Sequence, residues 1–220
     1  MYKLLYIKNQ INVPSPFGGR TETSMADARV VRTKKNIRSA FVELLKEKPF
    51  DEITITELCD KAKLSRITFY THYTDKYELV ESLFQEMMHS SSEDFRALQQ
   101  KNNAEGDPLR SYCNMLDSII NLYENHTVFL RQMSQRRNPY LYHSFYNHLF
   151  RKVELILVNG KQTLYPRFGA KKFTAFICNG LWAYINACNA ENCNIDQIRS
   201  ETKMLLTCLL QSDLFVGNEK

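Results

Sequence analysis

A chain of 220 residues, 44% hydrophobic and 24% charged, has enough apolar mass for one large domain or a small and a medium one. It contains no run of about 18 apolar residues, so nothing in the pattern spans a membrane. The net charge of +5 (29 basic against 24 acidic) favours polyanionic partners only mildly, so local clustering matters more than the total.

Residues 1–24 do not resemble the rest of the chain. Lys3, Lys8, Asn9 and Gln10 interrupt any apolar core, which argues against a signal peptide. Pro14, Pro16, Gly18 and Gly19 make the stretch unfit for a helix. Residues 1–27 are expected to be a disordered, dispensable extension, with Met25 as an ordinary start. Five cations then fall between Ala28 and Val42 (Arg29, Arg32, Lys34, Lys35, Arg38) with no anion. A first helix is expected from about Arg32 to Lys46, with Ile37, Ala40, Phe41, Leu44 and Leu45 as its core stripe. Cations in its first turn oppose the helix macrodipole. A nearby phosphate would explain them; a solvated face is the alternative. Lys48-Pro49-Phe50 ends the helix.

Residues 53–83 carry three helix starts. Thr54 with Glu57, and Asp75 with Glu78, have the capping-box spacing, and Ser65 is a good N-cap between them. The first short helix turns Leu58 and Ala62 inward, with Leu64 just past its end. The second, Arg66 to Tyr73, turns Phe69 and Tyr73 inward at i,i+4 spacing and leaves Ile67, Tyr70 and Thr71 outward, flanked by Arg66, Thr68 and His72. Two short helices and a tight turn make a helix-turn-helix, whose second helix can enter the major groove of DNA. A helical hairpin in any all-α protein is the plain alternative. Against it, the outward face mixes Arg, Thr, Tyr and Ile where a solvated face would carry Lys and Glu. Lys76 also puts a cation at the start of the next helix.

At these residues the chain resembles the TetR family of bacterial transcriptional regulators, over about residues 33–87. The family pattern of a Thr-capped helix, a Ser-x-x-Thr-(Leu/Phe)-Tyr-x-(His/Tyr)-(Phe/Tyr) helix and an acidic-Lys-x-x-Leu start is matched by Ser65, Thr68, Phe69, Tyr70, His72, Tyr73, Asp75, Lys76 and Leu79. Two positions depart from it: Lys63 stands where the turn usually has Gly, and Ile67 where the recognition helix often has Gly.

The helix from Asp75 should be long, with Tyr77, Val80, Leu83, Phe84, Met87 and Met88 inward. Lys101 to Pro108 is a polar turn and the best internal boundary. Beyond it the period is helical throughout, ending with helices at Lys171 to Ala190 and Asp196 to Leu210. Both are apolar on more than one face, which implies burial on more than one side. The resemblance implies that this pair packs against its two-fold mate as a four-helix bundle, with Leu181 and Ile185 in it. The six cysteines form no CxxC pair and read as small buried hydrophobes; Cys178, Cys188 and Cys193 fit no standard thiol or metal signature.

No catalytic constellation, metal signature or cofactor loop is present in the pattern: no Gly-rich phosphate cradle, no GxSxG and no HExxH. The reading is an all-α, cytoplasmic, homodimeric regulator. Residues 28–88 form a three-helix DNA-binding domain and residues 89–215 a helical ligand-binding and dimerisation domain. Arg66, Ile67, Tyr70 and Thr71 are expected at base edges of a pseudo-palindromic operator. Thr54, Thr68, His72 and Lys76 are expected beside phosphates, with Lys34 and Lys35 adding charge, and Ser65 belongs to the same DNA-binding set. The resemblance implies an effector pocket, for which Tyr112, Met115, Met133, Phe145, Trp182 and Asn186 are the candidates. A repressor is the expectation. An activator, or a C-terminal half that binds a protein partner and no small molecule, is the alternative; a closed apolar cavity would favour the ligand, and a filled core with an exposed apolar patch the partner.

Overall fold

The computed structural model describes residues 25–159 and 164–217. The extension at residues 1–24, and with it the expectation that it is disordered and dispensable, lies outside the described residues. The chain divides into two compact units, residues 1–35 and 36–220. The described part of the first is the opening of α1 (Met25–Glu47), where the Thr33 hydroxyl bonds the Arg29 carbonyl at 2.8 Å. This helix begins earlier than expected, and residues 25–27 are helical. Residues 25–31 contain no Gly or Pro to stop it, and Asp27 lies in the first turn, where the macrodipole favours an anion.

The second unit continues α1 and adds a 3-10 turn (Phe50–Glu52), α2 (Ile55–Ala62), α3 (Arg66–Tyr70), α4 (Lys76–Asn102), α5 (Pro108–Asn125) and α6 (Thr127–Leu130). It closes with α7 (Pro139–Asn159), β1 (Leu164–Pro166), α8 (Ala170–Ala190), α9 (Ile195–Leu210) and β2 (Phe215–Gly217). Among the described residues the protein is all-α apart from one antiparallel ribbon, in which Tyr165 pairs with Val216. Strands of three residues are too short to show an alternating pattern, so the ribbon was not legible. It carries Phe215 against Phe173 (ring centroids 4.8 Å apart) and Tyr112 (5.8 Å).

Ile37, Phe41, Leu45, Phe69, Leu79, Val80 and Phe84 are all fully buried, as the stripe on the first helix leads one to expect. That core does not stop at residue 88. Phe129 lies 6.0 Å from both Phe41 and Phe84, and Phe84 lies 5.6 Å from Phe145. α4 is the long helix expected from Asp75: it runs past residue 88 and ends at Asn102, because nothing between Asp75 and Asn102 removes a helical hydrogen bond. Its Tyr77 is 42% exposed where the pattern set it inward, although its ring stays edge-on to Phe50 and Tyr140.

α8 and α9 each bury one side in this chain: Phe173, Cys178, Ile185 and Cys188 on α8, Ile198, Thr202, Leu206 and Leu210 on α9. Their other sides are open. On α8 these are Phe176, Gly180, Ala183 and Ala187; on α9, Met204, Leu205 and Cys208. No helix among the described residues is long and apolar enough to cross a membrane.

Candidate nucleic-acid interface

The helix-turn-helix is built from its caps. Thr54 Oγ1 accepts the Glu57 N–H at 3.3 Å and donates to Glu57 Oε2 at 2.7 Å, while the Thr54 N–H donates to the same carboxylate at 3.0 Å. The Lys48 ammonium also bonds Glu57. That hydrogen bond, followed by those from Thr54, holds the carboxyl down at about 2. α2 ends on Lys63 with φ 54°, in the left-handed region. There the Leu64 N–H reaches the Cys59 carbonyl at 3.0 Å and the Lys63 N–H reaches that of Asp60 at 3.2 Å. This pair of bonds is the Schellman closure, whose left-handed residue is usually glycine. Lys63 adopts the conformation at a cost of about 1 kcal/mol.

The turn delivers Ser65, whose hydroxyl accepts the Thr68 N–H at 3.1 Å and lies 2.9 Å from the Thr68 hydroxyl. Phe69 and Tyr73 are buried with rings 5.7 Å apart, which pins the inner side of α3. Ser65, Arg66, Ile67, Tyr70 and Thr71 are all exposed, Ile67 at 82% and Tyr70 at 47%. Thr68 and His72 are half-buried at the rim. The α-helix is shorter than the pattern suggests: Thr71 to Tyr73 are a turn, held by the His72 and Tyr73 N–H groups on the Phe69 carbonyl. Lys34 is half-buried and Lys35 exposed, both in the unit of residues 1–35.

Lys76 is where expectation and structure part. Its ammonium donates to three carbonyls, those of Phe50 (2.9 Å), Asp51 (2.9 Å) and Ile53 (3.0 Å), and stands 4.7 Å from the Phe50 ring centroid. Burial lowers its pKa, against the pull of Asp51. An ammonium has three donors, and all three are used within the chain. Lys76 therefore clamps the end of the 3-10 turn to the start of α4, and a phosphate could take a donor only by displacing a carbonyl. α4 itself is capped by Asp75, which accepts the Tyr77 and Glu78 N–H groups at 2.8 Å. The reciprocal bond of the expected box goes elsewhere: Glu78 accepts from the Thr74 N–H at 2.6 Å.

Two residues missed by the sequence reading brace this region. Asn138, 2% exposed, accepts the Phe50 N–H at 2.7 Å and donates to the Gln132 carbonyl at 2.8 Å. The Arg137 guanidinium bonds the Leu45 and Lys46 carbonyls at the end of α1, each at 3.2 Å. Tyr140 stacks on Phe50 with centroids 5.4 Å apart. The only available signal was the dipeptide Asn138-Pro139, which reads simply as a stop before a helix.

The six pocket candidates do not converge. Phe145 and Trp182 are neighbours (5.5 Å), but the voids beside them are about 10 Å³. Tyr112 is filled core against Phe173 and Phe215, and Met133 is buried. Asn186 is exposed, as is Asn179, which bonds the Tyr146 hydroxyl at 2.8 Å. Both asparagines lie on the open side of α8, because the buried side is set by Phe173, Cys178 and Ile185. Met115 lines an open apolar cleft of about 330 Å³ between α5, α8 and α9, with Phe176, Leu181, Leu205 and Leu209. Ile185, expected between protomers, is 3% exposed within its own chain.

Comparison with known proteins fits this geometry. The family model described as bacterial regulatory proteins, tetR family, matches residues 37–83, which include all of α2 and α3. Over 69 residues the chain is 39% identical to the uncharacterized HTH-type transcriptional regulator YxbF of Bacillus subtilis (strain 168). That stretch is 31% of this chain and 18% of the relative, so the likeness spans less than a fifth of the relative's length. A TetR-family regulator structure from Syntrophomonas wolfei str. Goettingen superposes with TM-score 0.67 at 11% identity, over 84% of this chain and 98% of that one. A TetR transcriptional regulator from Streptococcus agalactiae 2603V superposes with TM-score 0.53 at 18% identity, over 82% and 97%. At such identities the structures speak to the fold alone. With the capped helix-turn-helix and the matched segment together, residues 37–83 are similar to the helix-turn-helix segment of the tetR family of bacterial regulatory proteins.

Proposed function

We propose that the protein binds a pseudo-palindromic operator as a homodimer and represses transcription in the cytoplasm. In this reading residues 28–88 bind DNA and residues 89–215 dimerise and regulate. The observation that carries it is the exposed side of α3, where a guanidinium, hydroxyls and two large apolar groups share five residues. Arg66, Ile67, Tyr70 and Thr71 meet base edges; Thr54, Ser65, Thr68 and His72 lie beside phosphates, and Lys34, Lys35 and the exposed Lys63 add charge. Lys76 positions the start of α4 and reads nothing. The dimer forms through the open sides of α8 and α9, where Phe176, Met204 and Leu205 are at least half exposed on one chain.

An effector of ordinary size needs a cavity of about 300 Å³ or more. The voids in the aromatic core are far below that, which favours a C-terminal half working through a protein surface, here a second copy of the chain. The cleft of about 330 Å³ between α5, α8 and α9 is an apolar concavity of adequate size, and it supports a small-molecule effector as the second reading.

Titrating Tyr70→Ala against an operator selected from random duplexes, and against a scrambled duplex, tests the assignment. The expected loss is roughly 1–3 kcal/mol on the operator and much less on scrambled DNA. Equal losses on both duplexes would remove α3 from sequence reading; no loss on either would remove it from the interface.

A further inference from the structure

α8 ends as α2 does. Asn192 has φ 59°, the Cys193 N–H bonds the Cys188 carbonyl at 2.9 Å, and the Asn192 N–H bonds that of Asn189 at 3.3 Å. In this closure the third residue from the helix end and the second residue past it are brought together, and an apolar contact between them is the usual result. At the end of α2 these residues are Cys59 and Leu64; at the end of α8 they are Cys188 and Cys193. The closure therefore sets the two cysteines side by side across one turn, with the Cys193 N–H on the Cys188 carbonyl. Cys188 is 5% exposed, whereas Cys193 is half-buried and open to reagents. Neither is used by the DNA-binding reading.

We infer that Cys188 and Cys193 form a reactive dithiol that closes to an intrachain disulfide when the protein meets the disulfide of a low-molecular-weight thiol. The thiolate of Cys193 attacks one sulfur of R–S–S–R, forming a mixed disulfide and expelling RS⁻. The thiolate of Cys188 then attacks Cys193 Sγ; the Cys188–Cys193 bond forms and a second RS⁻ leaves. The two cysteines are oxidised by two electrons, the reagent is reduced to two thiols, and the two cysteine protons end on the departing thiolates. A proximal second thiol makes the closing step intramolecular, so the mixed disulfide does not persist. The product ties the last turn of α8 to the chain entering α9.

The surroundings set the rate. Burial, then Cys188 and the carboxylates of Glu191 and Glu201, raise the Cys193 thiol above its ordinary value. The Tyr184 hydroxyl, bonded to Glu201 and next to Cys188, faces the pair from α8. Little thiolate is present near neutrality, so closure should accelerate as pH rises. Cys178, pushed up to about 12 by burial, stays out of the reaction, and Cys208 lies exposed on α9, away from this turn in the sequence.

The test uses the full-length chain incubated with oxidised and reduced glutathione at graded ratios, quenched by alkylation and cleaved after Glu191. That cut separates Cys188 from Cys193 in the chain. The expected result is two fragments held together until reduction, with Cys208 in the same sample carrying at most a mixed disulfide. Cys188→Ala should instead accumulate glutathione on Cys193, and Cys193→Ser should leave Cys188 unmodified. Persistent glutathione on Cys193 of the unaltered protein, or both thiols alkylated at ratios that already modify Cys208, would overturn the inference.

Discussion

The open sides of α3 and of α8 with α9 both present large apolar side chains, and residue by residue they look alike. Ile67 is 82% exposed on α3; Phe176 and Met204 are 63% and 62% exposed on α8 and α9. As surfaces they differ. Around Ile67 stand Arg66, Thr71 and the Tyr70 hydroxyl, so every apolar contact has a polar neighbour that can bond a base or phosphate. Along the open side that carries Phe176 run Gly180, Ala183 and Ala187, and across the cleft stand Leu205 and Leu209. Small residues in a stripe let another helix backbone come close, and the face has little to offer a polyanion. An exposed hydrophobe thus identifies its partner by the company it keeps.

The sharpest way to break this comparison is on α8 and α9. Leu205→Glu should leave the monomer folded and prevent association, because it puts an unpaired charge into an apolar contact. Ile185→Glu should cost more than about 3 kcal/mol and unfold the chain, because that residue is core. Sedimentation with far-UV circular dichroism separates the two outcomes. A dimeric Leu205→Glu protein would show that α9 is not the self-association face.

A smaller effect is expected at Lys76. Lys76→Ala strips donors from three carbonyls and should lower stability by about 2–3 kcal/mol in denaturant titration. The slope of operator affinity against salt should then stay as it was. A stable variant whose slope falls by about one unit would return Lys76 to the phosphate contacts.

The turn between α2 and α3 is sharpened by Lys63→Gly. Relief of the left-handed strain should raise stability by up to about 1 kcal/mol, reduced by the greater freedom of glycine in the unfolded chain. A shift of the thermal midpoint by a few degrees upward is the expected reading, and a lower midpoint would mean that the Lys63 side chain holds the turn.

The smallest effect is the acid response of the α2 cap. The Glu57 carboxyl is held at about 2 against an ordinary 4.5. A depressed carboxyl contributes stability that is complete above the ordinary value and is lost as pH falls toward the folded one. Wild type should therefore lose part of its stability between about pH 4.5 and 2 that Glu57→Gln does not lose. The group is exposed, so the difference in acid midpoints should be slight.

What the amino-acid order decided by itself was local. Thr54 with Glu57, Ser65 and Asp75 each cap the helix directly after them, because a cap needs only the backbone one turn ahead. The stripe from Ile37 to Leu45, and Phe69 with Tyr73, likewise needed only helical period to turn inward. The cation in the first turn of α4 was equally legible, but its partner was not. Lys76 meets carbonyls more than twenty residues back in the chain, and no spacing rule reaches across that loop. Asn186 and Ile185 are adjacent in sequence, and both were expected to be covered. Tertiary packing covered Ile185 and left Asn186 open, because which side of an apolar helix is hidden depends on where its neighbours sit. The same holds for the aromatic residues of the C-terminal half, where composition allowed a pocket and close packing filled it.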